Sequence, residues 1–401
     1  MRFGTFIAPF HPVTQDPNLA IHRDLELVEW LDRLGYDEAW IGEHHSAGYE
    51  IIPSPEVFIA MAAERTRRIR LGTGVSSLPY HHPLILADRM VLLDHLTRGR
   101  TMFGVGPGAL PSDAYMMGID PVDQRRMMEE SLDAMLKLFA GEMVTAETDW
   151  FTLRDARLQL LPYTRPCFEI AVAAQISPAG PRLAGKHGLS LLSIGATQSE
   201  GFNIMSHTWS IMEERSAEFG TTVDRNNWRL VGPMHIAPTR EQARADVQFG
   251  LAQWIDYFVR VAALPLVPAG IEEVDDLIDT LIEAGFAVIG TPDDAIAQIE
   301  RLEKQSGGFG CYLFMAHEWA DREATLKSYE LFARNVFPHF KESNRPTTQS
   351  RDWVAEHRAQ QLGRAGEAVM KAITDHAAEG SASSQTLKET IEQRVAERKK
   401  S

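Results

Sequence analysis

The sequence is poor in cysteine: its two cysteines, Cys167 and Cys311, are too few for a disulfide framework and are not spaced as metal ligands. Two free thiols suit a reducing compartment, where buried cysteine behaves as a small hydrophobe. Basic charge is also short, with 40 Lys and Arg against 55 Asp and Glu and a net charge of −15. A nucleic-acid partner needs clustered cations to meet its phosphates, so that class is disfavoured. No apolar run approaches the roughly 18 residues that a membrane helix requires. The opening Met1-Arg2-Phe3-Gly4-Thr5-Phe6-Ile7 has a β-like pattern rather than that of a signal peptide. These absences lead us to expect a soluble, cytoplasmic protein with no metal, nucleic acid or membrane among its partners.

What is present is ample material for a core, at 44% hydrophobic and 24% charged residues. Eight short apolar runs alternate with helical patterns: Phe3–Pro9, Glu38–Ile41, Ile69–Ser77, Thr101–Val105, Glu169–Ala173, Ser190–Ile194, Trp228–Ile236 and Cys311–Met315. Leu25, Val28, Leu31 and Leu34 recur near helical period, and Thr291-Pro292-Asp293-Asp294 reads as a capping box. Eight βα units predict an α/β protein, a (β/α)8 TIM barrel over residues 1–341. A doubly wound open sheet is the alternative, which periodicity alone does not separate from it. The longer gaps at 140–167 and 240–290 are expected to be insertions in βα loops, where barrels build their substrate sites. From Glu342 to Ser401 acidic and basic residues nearly balance, and Leu387, Ile391 and Val395 form a narrow stripe. That stretch reads as a helical extension that either docks on the barrel or on a second subunit, or stays partly disordered.

Several motifs fall at strand ends, which form the catalytic rim in a barrel. Glu43-His44-His45 follows the second run, and histidine is the side chain most easily poised to exchange protons near neutral pH. The bland reading is a pair of histidines bonded to backbone carbonyls. Gly72-Thr73-Gly74-Val75-Ser76-Ser77 admits close approach of a flat ligand, or simply a bulge. Gly104-Val105-Gly106-Pro107-Gly108 can aim amide groups at a phosphate, but lacks the dinucleotide-binding spacing. Arg125 and Arg126 are either phosphate contacts or a solvated pair. Ser177-Pro178 opens a helix whose positive end suits an anion. His81-His82-Pro83 reads as a cap or packing element.

Together these segments resemble the luciferase-like flavin monooxygenases, and within them the limonene monooxygenase group. The similarity runs from Met1 to about Lys341. It rests on Tyr36-Asp37-Glu38-Ala39-Trp40-Ile41-Gly42-Glu43-His44-His45, Arg70-Leu71-Gly72-Thr73-Gly74-Val75 and Asp94-His95-Leu96-Thr97-Arg98-Gly99-Arg100. The stretches from Gly106 to Gly118 and from Ile176 to Gly185 are similar to the limonene group in particular. The resemblance implies a barrel that binds reduced flavin, FMN or FAD, at its strand ends and lets it react with O2 to a C4a-peroxyflavin. Water must be kept out for that species to survive. A separate NAD(P)H-dependent flavin reductase is implied as the source of reduced flavin, and a homodimer as the assembly.

On the same ground His44 matches the catalytic histidine. Gly74, Val75 and Ser76 match the strand end beneath the isoalloxazine ring. Gly106, Arg125, Ala174, Gln175 and Ser177 fall around the flavin and its phosphate, while Phe6, Phe10, Trp40 and Tyr115 are candidate walls for a small hydrophobic substrate. Pro107 stands where luciferase has a phosphate-binding arginine, and Ala174-Gln175 replaces its acidic residue, which leaves FMN and FAD both open. The implied activity is oxygenation of an apolar compound: terpene epoxidation, hydroxylation or Baeyer–Villiger oxidation. The rivals are a deazaflavin-dependent dehydrogenase on the same barrel and a non-catalytic flavin-binding protein.

Overall fold

A computed structural model describes the chain except Pro9, Gln198, residues 263–270, Glu272, Glu379, Ser381 and residues 399–401. It divides into two compact units, Met1–Lys341 and Glu342–Ser401. The second consists of helices Arg345–Glu356, Arg358–Ala378 and Ala382–Arg398.

The first unit is a closed barrel of parallel strands, as the eight apolar runs predicted. The strands are β1 (Arg2–Ile7), β2 (Glu38–Ile41), β3 (Arg70–Ser77), β4 (Thr101–Gly106), β5 (Glu169–Ala174), β6 (Ser190–Ser193), β7 (Trp228–Gly232) and β8 (Cys311–Met315). Each pairs with the next, and Arg2 opposite Cys311 closes the ring between β8 and β1. The crossover helices are α1 (Pro17–Leu34), α2 (Pro55–Arg65), α3 (Pro83–Thr97), α4 (Gln124–Phe139), α5 (Ala179–His187), α6 (Ser199–Phe219), α7 (Pro292–Ser306) and α8 (Arg322–Asn335). α1 shows why they pack as they do. Asp16 caps it by accepting from Leu19 N, Gly35 ends it at φ 84°, and it buries Leu25, Val28 and Leu31.

Two expectations need correction. The seventh run does not continue to Ile236: β7 stops at Gly232, because Pro233 has no N–H for a ladder. Met234–Ile236 instead pairs in parallel with Val288–Gly290 outside the barrel. The gap at 140–167 is not a βα loop. It follows α4 and forms an antiparallel hairpin, Val144–Glu147 with Thr152–Ala156, in the connection leading into β5. The gap at 240–290 does lie in the β7–α7 connection, and the capping box forms at Thr291, whose N–H donates to Asp294 Oδ2 at 2.9 Å.

The lower barrel interior is filled by charge and an indole. Arg229, fully buried, reaches Glu38 with Nε–Oε2 at 2.6 Å and Nη2–Oε1 at 2.9 Å, and Glu169 Oε1 at 2.7 Å. Burial raises the Glu169 carboxyl, but Arg229 and Arg70 outweigh it and hold its pKa down at about 2. Trp40 lies 4.9 Å from the guanidinium and donates Nε1–H to Glu38 Oε2 at 2.9 Å. A Cβ on Gly72 would come within 2.6 Å of the Trp40 ring. The flat group this glycine admits is therefore the chain's own indole, and Trp40, 0% exposed, belongs to the barrel core rather than to a substrate wall.

The rim between β1 and β8 is clamped by His11. Its Nε2 lies 2.9 Å from Asp24 Oδ2 on α1 and its Nδ1 2.9 Å from Glu318 Oε1 after β8. Burial works against its charge, but the two carboxylates win and raise its pKa to about 9. His11 N–H also donates to Tyr49 O at 3.0 Å, which fixes the Phe10 loop against the β2 loop.

Two outcomes follow. Arg229→Leu removes the central partner of buried Glu38 and half-buried Glu169, leaving them only Arg2 and Arg70, and is expected to cost about 3 kcal/mol in urea denaturation. Because the folded pKa of His11 is raised, its contribution to stability is present in full below its unfolded value. It is lost as pH rises through about 9. Wild type should therefore lose stability over that window more steeply than His11→Gln.

Candidate active site

Strand β2 delivers Glu43-His44-His45 to the mouth of the barrel, and each side chain is tied to a different neighbouring loop. Glu43, 4% exposed, is one hub. Its Oε1 accepts from His45 Nε2 at 2.9 Å and His81 Nε2 at 2.7 Å, and its Oε2 from Ser77 N at 2.8 Å. Burial opposes ionisation of Glu43, yet these donors keep its carboxyl below the ordinary value. His81, expected to be a cap or packing element, thus joins the cluster that holds the β2 and β3 loops together.

Asp113 is the second hub, at 1% exposure in the short helix Pro111–Met116 after β4. Its Oδ1 accepts from His45 N at 3.1 Å and Ser46 Oγ at 2.5 Å, and its Oδ2 faces His44 Nδ1 at 3.1 Å. The other ring nitrogen of His44 lies 3.3 Å from Glu50 Oε2. Burial would discharge His44, but Glu50 and Asp113 together raise it above its ordinary value. A carboxylate therefore faces each ring nitrogen, Asp113 at Nδ1 and Glu50 at Nε2, which favours the protonated form of the ring. Such a group can release a proton to a molecule at the mouth or steady negative charge there.

The wall beside His44 is aromatic. Phe10 stacks on Tyr49 with centroids 5.2 Å apart, and Tyr257 lies 5.3 Å from Phe10 and 4.8 Å from Tyr49. Tyr257 comes from the β7–α7 insertion.

Across the β4 loop an open cleft of about 490 Å3 is lined by Val75, Arg125, Ala174, Gln175 and Ser177, with Pro107 and Ile194 among its apolar surfaces. That size is ordinary for a ligand pocket. Arg125 has no hydrogen-bond or ion-pair partner among the described residues, whereas Arg126 is committed to Asp149, Glu130 and Asp123. Ser177 sits at the start of α5, where its Oγ accepts from Ala179 N at 3.3 Å. A cation, a hydroxyl and a helix N-terminus thus converge at one end of a largely apolar cleft. Such a donor set suits an anionic group on an otherwise apolar ligand.

Behind the cleft, the Gly74–Val75 peptide is cis and the β3–β4 register shifts between Thr73 and Ser76. A Cβ on Gly106 would meet Val75 Cγ2 at 2.6 Å, so glycine there makes room for the displaced valine. Ser76 Oγ is buried with no hydrogen-bond partner, a free polar atom beside Val75. Phe6 lies below, packed against Gly74. Tyr115, expected as a substrate wall, is 85% exposed, because its short helix buries Asp113 and Ala114 instead.

Sequence reasoning passed over Asp113, Glu50 and Tyr257. Asp113 looks like an ordinary acidic residue at a helix start, and Glu50 and Tyr257 stand outside every motif. One signal was available for Glu50: a carboxylate six residues beyond His44 on the same rim loop.

Residues 1–308 match the family described as luciferase-like monooxygenase. The chain is 55% identical over 342 residues to limonene 1,2-monooxygenase of Rhodococcus erythropolis, covering 84% of this chain and 86% of that protein. It is 47% identical over 359 residues to 4-hydroxyprotoasukamycin monooxygenase of Streptomyces nodosus subsp. asukaensis, covering 89% and 96%. Among solved structures it resembles the oxygenating constituent of 3,6-diketocamphane monooxygenase from Pseudomonas putida in complex with FMN. That match has a TM-score of 0.71 and 26% identity, covering 84% of this chain and 98% of the other. With barrel, mouth and relatives in agreement, the chain belongs to the luciferase-like monooxygenase family.

Proposed function

We propose that this chain is the oxygenating component of a two-component flavin monooxygenase that adds one oxygen atom from O2 to a small hydrophobic substrate. The observation that carries the reading is the loop after β4. It lines the flat cleft with Pro107, Gly108 and Ala109 on one side and presents Asp113 to His44 on the other. One loop therefore serves both the cleft and the His44 imidazole.

Reduced flavin, when bound there, supplies the activated oxygen. Val75, Ala174 and Ile194 give the ring an apolar seat, and Arg125 with Ser177 and the start of α5 holds its phosphate end. FMN and FAD both satisfy that end. His44 is the catalytic residue: it keeps a proton at the mouth and delivers it to oxygen as the transfer completes. Phe10, Tyr49 and Tyr257 exclude water on that side. An apolar mouth suits a terpene, an aromatic compound or an alicyclic ketone. Epoxidation of a limonene-like alkene is the first expectation, with hydroxylation and Baeyer–Villiger oxidation using the same site. Reduced flavin comes from a separate NAD(P)H-dependent reductase that docks transiently, and the functional assembly is a homodimer.

The test is rapid mixing of anaerobic protein and reduced FMN or FAD with oxygenated buffer, with and without limonene. A long-lived absorbance unlike either reduced or oxidised flavin, and an epoxide carrying oxygen from 18O2, are expected. Reoxidation no faster or slower than free flavin, with both flavins, overturns the reading. His44→Asn should bind flavin normally and lose about 100-fold or more in product formation. Loss of a phosphate contact worth about 1.5–3 kcal/mol should raise the flavin Kd of Arg125→Ala by about 10–100-fold, measured by fluorescence titration.

A further inference from the structure

Glu50 has two carboxylate oxygens, and each faces a different element. Oε1 accepts the Tyr257 hydroxyl at 2.6 Å, and Oε2 stands 3.3 Å from His44 Nε2. Glu50 is 6% exposed and Tyr257 is fully buried, so water competes weakly for either contact. The short contact goes to the phenol hydroxyl and the long one to the imidazole. Hydroxyl donors to a carboxylate ordinarily bond at about 2.5–2.7 Å and N–H donors at about 2.7–2.9 Å, so the Tyr257 bond has normal length and the His44 contact is the stretched one.

The backbone explains how the ordering is held. Tyr257 opens a π-helical turn, Tyr257–Val261, immediately after the helix Leu251–Asp256 in the β7–α7 insertion. Widened turns of this kind mark functional sites more often than ordinary ones. The tyrosine ring is locked between Phe10, Tyr49 and Phe258, the last with centroids 5.0 Å away, so its hydroxyl cannot retreat from Glu50. The Phe10 strip is itself bridged to Glu50 through the backbone.

We propose that Tyr257 is a positioning residue that competes with His44 for the Glu50 carboxylate, and so sets how readily His44 gives up its proton. This rests on the reading of His44 as the proton donor. With the insertion seated, Tyr257 draws part of the Glu50 charge away from the ring and keeps the ion pair long. The charged and titratable groups facing His44 are Glu50, Asp113, Glu43 and His45, and those facing Tyr257 are Glu50, Asp113 and Tyr49. Burial pushes the Tyr257 phenol well up, so it acts as a neutral donor throughout the working range.

The experiment follows the His44 ring by NMR titration in the full-length protein, its signal assigned by loss in His44→Asn. Tyr257→Phe keeps the ring packing and removes only the hydroxyl, and near-UV circular dichroism checks that the fold is retained. Freed of its competitor, Glu50 should then raise the His44 midpoint. Glu50→Gln removes the charge and should lower it by about 1 unit or more. In the double variant the Tyr257→Phe effect should vanish, leaving the Glu50→Gln value. An unmoved or lowered midpoint in Tyr257→Phe overturns the proposal, as does a Tyr257→Phe shift that persists in the Glu50→Gln background. Flavin affinity of Tyr257→Phe should stay at the wild-type value while product formation falls several-fold. If the titrations behave as expected but His44→Asn retains full turnover, the coupling stands and the role given to His44 fails.

Discussion

A single guanidinium inside the barrel sets the frame for everything above it. Arg229 on β7 is shared between Glu38 on β2 and Glu169 on β5, three strands spread around the ring. A buried charge of this kind is costly unless every partner is in place, so the triad tolerates one strand arrangement and resists slippage. Trp40 rests against the guanidinium, and Gly72 keeps the space for its ring. With the interior filled in this way, ligands are confined to the rim.

At the rim the same logic is repeated with hydrogen bonds to backbone. Glu43 joins the β2 loop to the β3 loop, and Asp113 joins the β2 loop to the β4 loop. Each hub is a nearly enclosed carboxylate whose donors leave little freedom. Rigid loops on a rigid barrel are what a proton-transfer geometry requires, because small displacements of the reacting groups cost rate steeply. Phe10, anchored through the His11 clamp, and Tyr257, carried by the insertion, complete the wall from opposite sides.

The barrel was readable from the sequence because buried parallel strands are continuous apolar runs of strand length, and all eight stood out. Where reading failed, tertiary context decided. The run through Ile236 was mostly apolar, and the missing N–H of Pro233 separates its barrel strand from an outer one. The 144–156 hairpin carries little apolar patterning, since Thr145, Glu147, Thr152, Arg154 and Asp155 face outward or are half-buried. Within the mouth, His44 could be found from its place at a strand end. Its partners could not, because Asp113 lies 69 residues away and Tyr257 reaches Glu50 across 207. Trp40 and Tyr115 misled for a shared reason: aromatic character does not tell whether a ring faces core, cleft or solvent.

The hairpin outside the barrel bears on the cleft in a way that its distance from the strand ends conceals. Its tip residue Asp149 takes hold of Arg126, together with Asp123 and Glu130, while the adjacent Arg125 is left to face the cleft. Two neighbouring arginines are thereby made unequal. One is neutralised by its surroundings and the other carries its full field to the anion seat. The hairpin thus leaves Arg125 as the uncommitted member of the pair on the cleft wall. A relative with the same barrel but a shorter connection between α4 and β5 would leave Arg126 held only by Asp123 and Glu130, and so freer to turn toward an anion, with no change to any residue lining the cleft.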